Sequence, residues 1–213
     1  VAGRFPDLGP IDAYATAVES WAAGIDSYVL VGDSFGALVS LALAARRPRG
    51  LRAVVVSGGF ARAEVSLSTR LQIRMAGLLG QPGYGLTIRG WVKGLGSRFD
   101  PPGTAADLER IFRDNSDART FVNRAKAVFA TDLRPVLSRI EVPTLVLTPE
   151  EDRLIGPGAA AEMVNAIPVA EETVLRGTGH LLRFTHPEEY ARAIDAFLAR
   201  HEVTAGPLAT NAT

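Results

Sequence analysis

Apolar and polar positions along this chain follow two periods in turn, and the switches between them mark its elements. Residues 11–24, IDAYATAVESWAAG, place Ile11, Tyr14, Val18 and Trp21 three and four apart and end on Gly24, which predicts an amphipathic helix with a glycine stop. The next run, SYVLVG at 27–32, is β-rich, too short for a helix and apolar on successive residues, as a central parallel strand covered on both faces requires. From Gly36 to Arg47 the pattern is helical again and closes on basic residues before Pro48. LRAVVVSG at 51–58 is a second continuous apolar strand. Strand, helix, strand predicts a crossover unit and a parallel sheet.

The same rhythm returns near the other end. VPTLVLT (142–148) reads as a strand, GPGAAAEMVNAI (156–167) as a helix, EETVLRG (171–177) as a strand, and HPEEYARAIDAFLARH (186–201) as a final amphipathic helix. Between the two blocks, residues 60–139 hold no strand pattern. They hold helical stretches at 65–80, 105–114 and 117–130, separated by GQPGYG and FDPPG. Such a segment between neighbouring strands of one sheet predicts an insertion lying over the sheet's carboxyl edge as a lid. Residues 1–59 and 140–201 therefore read as an α/β core, 60–139 as a helical cap, and 202–213, small and aperiodic, as a disordered tail.

Composition narrows the partners. With 213 residues, 47% of them hydrophobic, the chain is long enough for a sizeable core. Lys plus Arg equals Asp plus Glu at 23 each, so no net field argues for nucleic acid or an anionic surface, and a small-molecule partner is expected. Zero cysteines exclude disulfides, zinc–thiolate and iron–sulfur sites and a Cys nucleophile. No stretch approaches the ~20 apolar residues of a membrane span. A cytoplasmic location is the default expectation, no metal is expected, and the oligomeric state is left open.

Candidate chemistry centres on VLVGDSFGALVSLALAARRP, residues 29–48, where Ser34 lies between Gly32 and Gly36 at a strand-to-helix junction. A serine in such a turn is lifted above the sheet if the residues two before and two after lack colliding side chains, and the helix start aims free N–H groups at the same spot. A serine hydroxyl needs a base. The chain offers only His180, His186 and His201. His180 follows VLRGTG directly after the last strand, on the same sheet edge, whereas His186 and His201 open and close the final helix and read as surface residues. The base in turn needs an acid. TPEEDRLIGP supplies Glu150, Glu151 and Asp152 after the third strand; Asp152, the shortest and furthest into the loop, is favoured, with both glutamates expected to face solvent. SGGF after the second strand holds no carboxylate. All three candidates follow different parallel strands, at the carboxyl edge where open α/β sheets bind ligands.

These segments together resemble the α/β-hydrolase family, in the form with a helical cap inserted between two strands. The run at 29–48 is similar to that family's nucleophile elbow, VPTLVLTPEEDRLIGP to its acid strand and loop, and VLRGTGHLLRFTHPEEYARAIDAFL to its histidine loop and last helix. The resemblance implies Ser34 as nucleophile, Asp152 as orienting acid, His180 as general base, the Phe35 backbone N–H as an oxyanion donor, and no cofactor. Family members carry several strands before the elbow, with a loop of His-Gly or Gly-Gly character supplying a second oxyanion N–H. Nothing before residue 27 matches that loop, so an N-terminally incomplete core is expected. The implied activity is hydrolysis of a carboxylic ester or thioester of a small hydrophobic acyl group. Acyl transfer through the same residues and a non-catalytic binding module are the alternatives. The lid's Phe60, Tyr84, Trp91, Phe99, Phe112, Phe121 and Phe129 would either face an acyl pocket or pack the lid itself.

Overall fold

Residues buried on successive positions need cover on both faces, and the two central strands obtain it. The computed structural model describes residues 7–64, 66–156 and 158–203. Its four strands, β1 (Tyr28–Asp33), β2 (Leu51–Ser57), β3 (Thr144–Pro149) and β4 (Ala170–Leu175), form one parallel sheet in the order β1-β2-β3-β4. On one face Val54, Val56 and Val146 meet Leu41 of α2 (Phe35–Ala44) and Met163 of α6 (Ala159–Ala166). On the other, Ala53, Val55, Leu145 and Leu147 surround Phe197 of α8 (Pro187–Arg200), a fully buried ring. The alternation within β2 and β3 is the period-2 geometry of a pleated strand filled on both sides. α1 (Ile11–Ala22) packs outside α2 through Ile11 and Ala15.

Two edges behave differently from the centre. β1 was expected as a central strand, yet among the described strands it lies at an edge, with Val31 49% exposed. On α1, Trp21 was expected on the apolar stripe; it is 70% exposed, and Ala22 is buried instead. The small residue Ala15 sits at the contact with α2, and the bulky indole of Trp21 stays on the outer side.

Between β2 and β3 the chain leaves the sheet and returns through a narrow neck, where Arg62 and Asp132 form an antiparallel bridge and the Leu133 N–H donates to Ala61 O at 2.9 Å. Beyond the neck lie α3 (Leu67–Leu95), α4 (Thr104–Asn115) and α5 (Ala118–Ala130), the cap-like insertion. GQPGYG was read as a separator, and two helical segments do meet at a kink on its first residue, Gly80 (φ 61), although the second segment begins within the stretch rather than after it. Pro82 falls in the first turn after that break, where a missing N–H costs nothing. FDPPG does separate α3 from α4. Several cap aromatics pack one another: Tyr84 meets Phe121 tilted at 5.3 Å, Trp91 meets it edge-on at 5.1 Å, and Tyr84 donates its hydroxyl to Phe112 O at 2.9 Å. Phe60 instead joins Ile11, Ala15 and Leu38 in the core, and Phe99 is 44% exposed. A short helix, α7 (Leu182–Thr185), precedes α8. From 204 onward the expected tail lies outside the described residues.

Candidate active site

β1 ends in a sharp turn at Ser34, whose backbone sits at φ 52, ψ −109. A non-glycine residue there stores about 1–3 kcal/mol of strain, and local contacts hold it. The Ser34 N–H donates to Ser57 O at 2.9 Å, tying the turn to the end of β2, and Ser34 O accepts from the Ala37 N–H at 3.0 Å, starting α2. Gly32 is required by contact: a Cβ there would lie 2.3 Å from Gly36 O and 2.5 Å from Ser40 Oγ. The same argument does not extend to Gly36, where a Cβ would meet nothing within 4 Å. Phe35 is the first residue of α2, so its N–H has no acceptor in a preceding turn. Its ring is held between Tyr14 (5.0 Å, edge-on) and the Arg124 guanidinium of the cap (5.8 Å).

After β3, Pro149 leads into the acid loop. Asp152 Oδ1 accepts from the N–H groups of Leu154 (2.9 Å) and Ile155 (3.0 Å), which fixes the carboxylate and aims Oδ2 at His180 Nδ1, 2.8 Å away. The pair is sheltered, with side-chain exposures of 7% and 3%. Burial pushes the Asp152 pKa up, but the His180 hydrogen bond and charge and the two N–H donors outweigh it, and the carboxyl ends below its ordinary 3.8. An ionised carboxylate only accepts, so Nδ1 carries the proton and Nε2, at the far end of the ring, is the free basic nitrogen.

The SGGF segment, empty of acids, brings these parts together. Gly58 follows β2 at φ 49, and a Cβ there would lie 3.0 Å from His180 Nδ1 and 3.3 Å from Asp152 Oδ2. The pair is thus packed on the backbone of Gly58, and the carbonyl of the Ser57–Gly58 peptide is the acceptor for Ser34 N–H. One peptide unit separates the serine turn from the His–Asp pair. Among the described residues no hydrogen bond joins Ser34 Oγ to the His180 ring; in free enzymes such contacts are commonly long and tighten when substrate binds.

Other groups near this edge have different partners from those the sequence suggested. Both glutamates were expected in solvent. Glu150 is exposed, its carboxylate accepting from the Gly177 N–H at 2.7 Å, whereas Glu151 is partly covered and binds Ser97 Oγ (3.2 Å) and Arg98 Nε (2.9 Å) at the end of α3. Asp33, beside Ser34, accepts from Arg183 Nη1 (2.7 Å) and the Tyr190 hydroxyl (3.0 Å), a network with no local sequence signal. His186 precedes α8, with Nδ1 2.8 Å from Thr185 Oγ1 and no side-chain bond to the helix start, and His201 at its end meets Phe197 in a tilted contact at 4.8 Å. Among the described residues no group of three or more His, Asp or Glu side chains could hold a metal ion, and no helix is long and apolar enough to cross a membrane.

Comparison with known proteins places these features in a wider set. A model of the alpha/beta hydrolase family matches residues 2–193. "Putative carbamate hydrolase RutD" of Escherichia coli O6:H1 is 26% identical over 178 residues, covering 79% of this chain and 62% of that protein. Polyketide synthase ThaQ of Burkholderia thailandensis is 28% identical over 217 residues, 92% of this chain but 10% of the synthase. The chain thus spans less than two thirds of the length of these relatives. Among solved structures, a thermophilic esterase from Thermogutta terrifontis superposes with a TM-score of 0.80 at 20% identity, over 92% of this chain and 75% of the esterase. An enol-lactonase from Burkholderia xenovorans LB400 gives 0.78 at 22% identity, over 89% of this chain and 73% of its own.

Proposed function

The chain belongs to the alpha/beta hydrolase family, and on that premise we propose that it is a serine hydrolase of a carboxylic ester or thioester with a small hydrophobic acyl group. Ser34 Oγ attacks the carbonyl while His180 Nε2 takes its proton. The oxyanion forms beside the Phe35 N–H at the start of α2. His180 then gives the proton to the leaving group, and water, activated by the same nitrogen, releases the acyl group from Ser34. Asp152 keeps the proton on Nδ1 and stabilises the imidazolium. No metal or organic cofactor takes part.

The observation that carries this reading is the sheltered 2.8 Å contact between His180 Nδ1 and Asp152 Oδ2, packed on Gly58 one peptide from the Ser34 turn. Exposed apolar side chains on the acid loop (Leu154) and on α7 after the histidine (Phe184), together with Phe99 from the cap, support an apolar acyl group. The test is labelling with a fluorophosphonate probe. The reading expects one label on Ser34, lost in Ser34→Ala and in His180→Ala; a folded chain that takes no label refutes it. The likeness to a stretch of a polyketide synthase favours, as second reading, transfer of the acyl group to an acceptor other than water. Competition between water and added alcohols or thiols for the acyl enzyme separates the two.

A further inference from the structure

Serine chemistry at this edge requires the hydroxyl after β1 and the imidazole after β4 to meet, yet β1 and β4 are the opposite edges of the sheet. At about 4.8 Å per strand, three spacings put them roughly 14 Å apart. The chain leaving β4 must therefore travel back across β3 and β2, and something must hold it at the β1 side. Gly58 and Asp152 receive His180 midway. The contact on β1 itself is Asp33, the strand's last residue and the neighbour of Ser34.

Both oxygens of Asp33 are engaged by the segment that follows His180. Oδ2 accepts from Arg183 Nη1 on α7 at 2.7 Å, and Oδ1 accepts from the Tyr190 hydroxyl on α8 at 3.0 Å. Asp33 is mostly covered, with its side chain 18% exposed. Burial first, then the adjacent Asp33 charge and hydrogen bond, push the Tyr190 hydroxyl's pKa well above its ordinary range, which keeps it protonated as a donor. The Arg183 guanidinium is steadied from its other side by the Phe184 ring, 4.4 Å away. A lone surface ion pair contributes little to stability. This one is part of a three-membered junction, and it joins the residue before Ser34 to a residue three positions after His180.

We propose that Asp33 is a positioning residue, clamping α7 and α8 to the end of β1 so that the imidazole of His180 is held at the distance from Ser34 that proton transfer requires. The inference rests on the serine-nucleophile reading above. It assigns Asp33 no contact with substrate. Because Arg183 uses a single nitrogen toward Asp33, a lysine can replace it, which a bidentate pair would not permit.

The test compares fluorophosphonate labelling rates of the unaltered chain with those of Asp33→Ala, Arg183→Met, Arg183→Lys and Tyr190→Phe, each checked for folding by circular dichroism. Loss of the clamp slows labelling roughly tenfold or more in Asp33→Ala and Arg183→Met, since misplacement of a reacting group by a fraction of an ångström has effects of that order. Tyr190→Phe, which leaves the Arg183 bond in place, loses less and decides the matter if Asp33→Ala does not fold. Arg183→Lys recovers most of the rate. With p-nitrophenyl acetate as probe the loss appears in kcat, with KM unchanged. Folded Arg183→Met and Tyr190→Phe chains that label at the unaltered rate, or a loss carried by KM alone, overturn the clamp and leave the serine reading standing. An unaltered chain that takes no label at Ser34 overturns both.

Discussion

A single methyl group at Gly58 probes the packing of the His–Asp pair. An ideal Cβ at this position lies 3.0 Å from His180 Nδ1, 3.1 Å from its Cε1 and 3.3 Å from Asp152 Oδ2. Ordinary contact begins at about 3.5 Å, so the ring and the carboxylate must each withdraw by a few tenths of an ångström. Neither has room, because both side chains are almost fully enclosed. Overpacking of this kind costs about 1–3 kcal/mol. The backbone adds a second penalty: Gly58 sits at φ 49, and an L side chain in the left-handed region costs about 1–2 kcal/mol.

Gly24→Ala separates the two effects. Gly24 also has positive φ (93), but a Cβ there meets nothing within 4 Å, and it lies before β1, at the end of that strand remote from Ser34. Both variants lose the backbone contribution, about 1–2 kcal/mol by denaturant unfolding, and Gly58→Ala loses about 1–3 kcal/mol more. In the fluorophosphonate assay Gly24→Ala labels at the unaltered rate, whereas Gly58→Ala slows roughly tenfold or more as the imidazole is displaced. Equal labelling rates in the two variants would refute the claim that Gly58 seats the pair against the serine turn. Equal stabilities would refute the overpacking estimate.

Three further outcomes follow from the same geometry. Gly32→Ala drives a methyl to 2.3 Å from the backbone of Gly36, and where backbone rather than a flexible side chain must yield, the expected result is loss of the soluble folded protein or a melting temperature depressed by well over ten degrees, read by differential scanning calorimetry. Asp152→Asn keeps the shape of the acid but inverts the tautomer of His180, so hydrolysis of p-nitrophenyl acetate should fall about 10⁴-fold. Its folded pKa lies below 3.8, so Asp152 contributes stability above that value and loses it as pH falls through the lower folded one; the Asn variant should show a flatter acid limb in a stability–pH profile. Phe197→Ala removes the ring that fills the face of β2 and β3, and equilibrium unfolding in urea should record a loss of about 3–5 kcal/mol.

The parts of the fold that local pattern dictates were readable in the chain. LRAVVVSG and VPTLVLT carry apolar residues on successive positions, Ala53 to Val56 and Leu145 to Leu147, and both runs are buried. FDPPG breaks the cap where prolines and a left-handed glycine leave no alternative. Patterns that depend on distant partners were not readable. Trp21 continues the period of Ile11, Tyr14 and Val18, but α1 meets α2 through Ile11 and Ala15, and no local rule reveals that. GQPGYG carries every mark of a turn, and the chain does break there, but the break is confined to Gly80 and Pro82 already lies in the first turn of the next helical segment, so the separation is shorter than the motif suggests. At the site, Ser34 was marked by its glycines and Asp152 and His180 by the strands they follow. Gly58 carries no chemistry of its own, and Asp33 meets Arg183 and Tyr190 across 150 and 157 residues, too far for any periodic trace.

Residues one position from the acid and the histidine hold the cap, and this ties the lid to the chemistry below it. Glu151, beside Asp152, grips Ser97 and Arg98 where α3 ends. Gly179, beside His180, lies so close to Ser97 that a Cβ would stand 2.8 Å from the serine's own Cβ, and Gly177 faces the Phe99 ring at 3.7 Å from the corresponding position. The 97–99 segment therefore rests on both loops at once. Since Arg98 is largely exposed, its pair with Glu151 adds no more than about 1 kcal/mol against a shift of the 97–99 segment. The steric contact at Gly179 transmits such a shift to the backbone of His180, while the Asp33 junction and Gly58 oppose it from the core side. The imidazole thus lies between contacts built on β1 and β2 on the core side and a contact built on the end of α3 on the cap side.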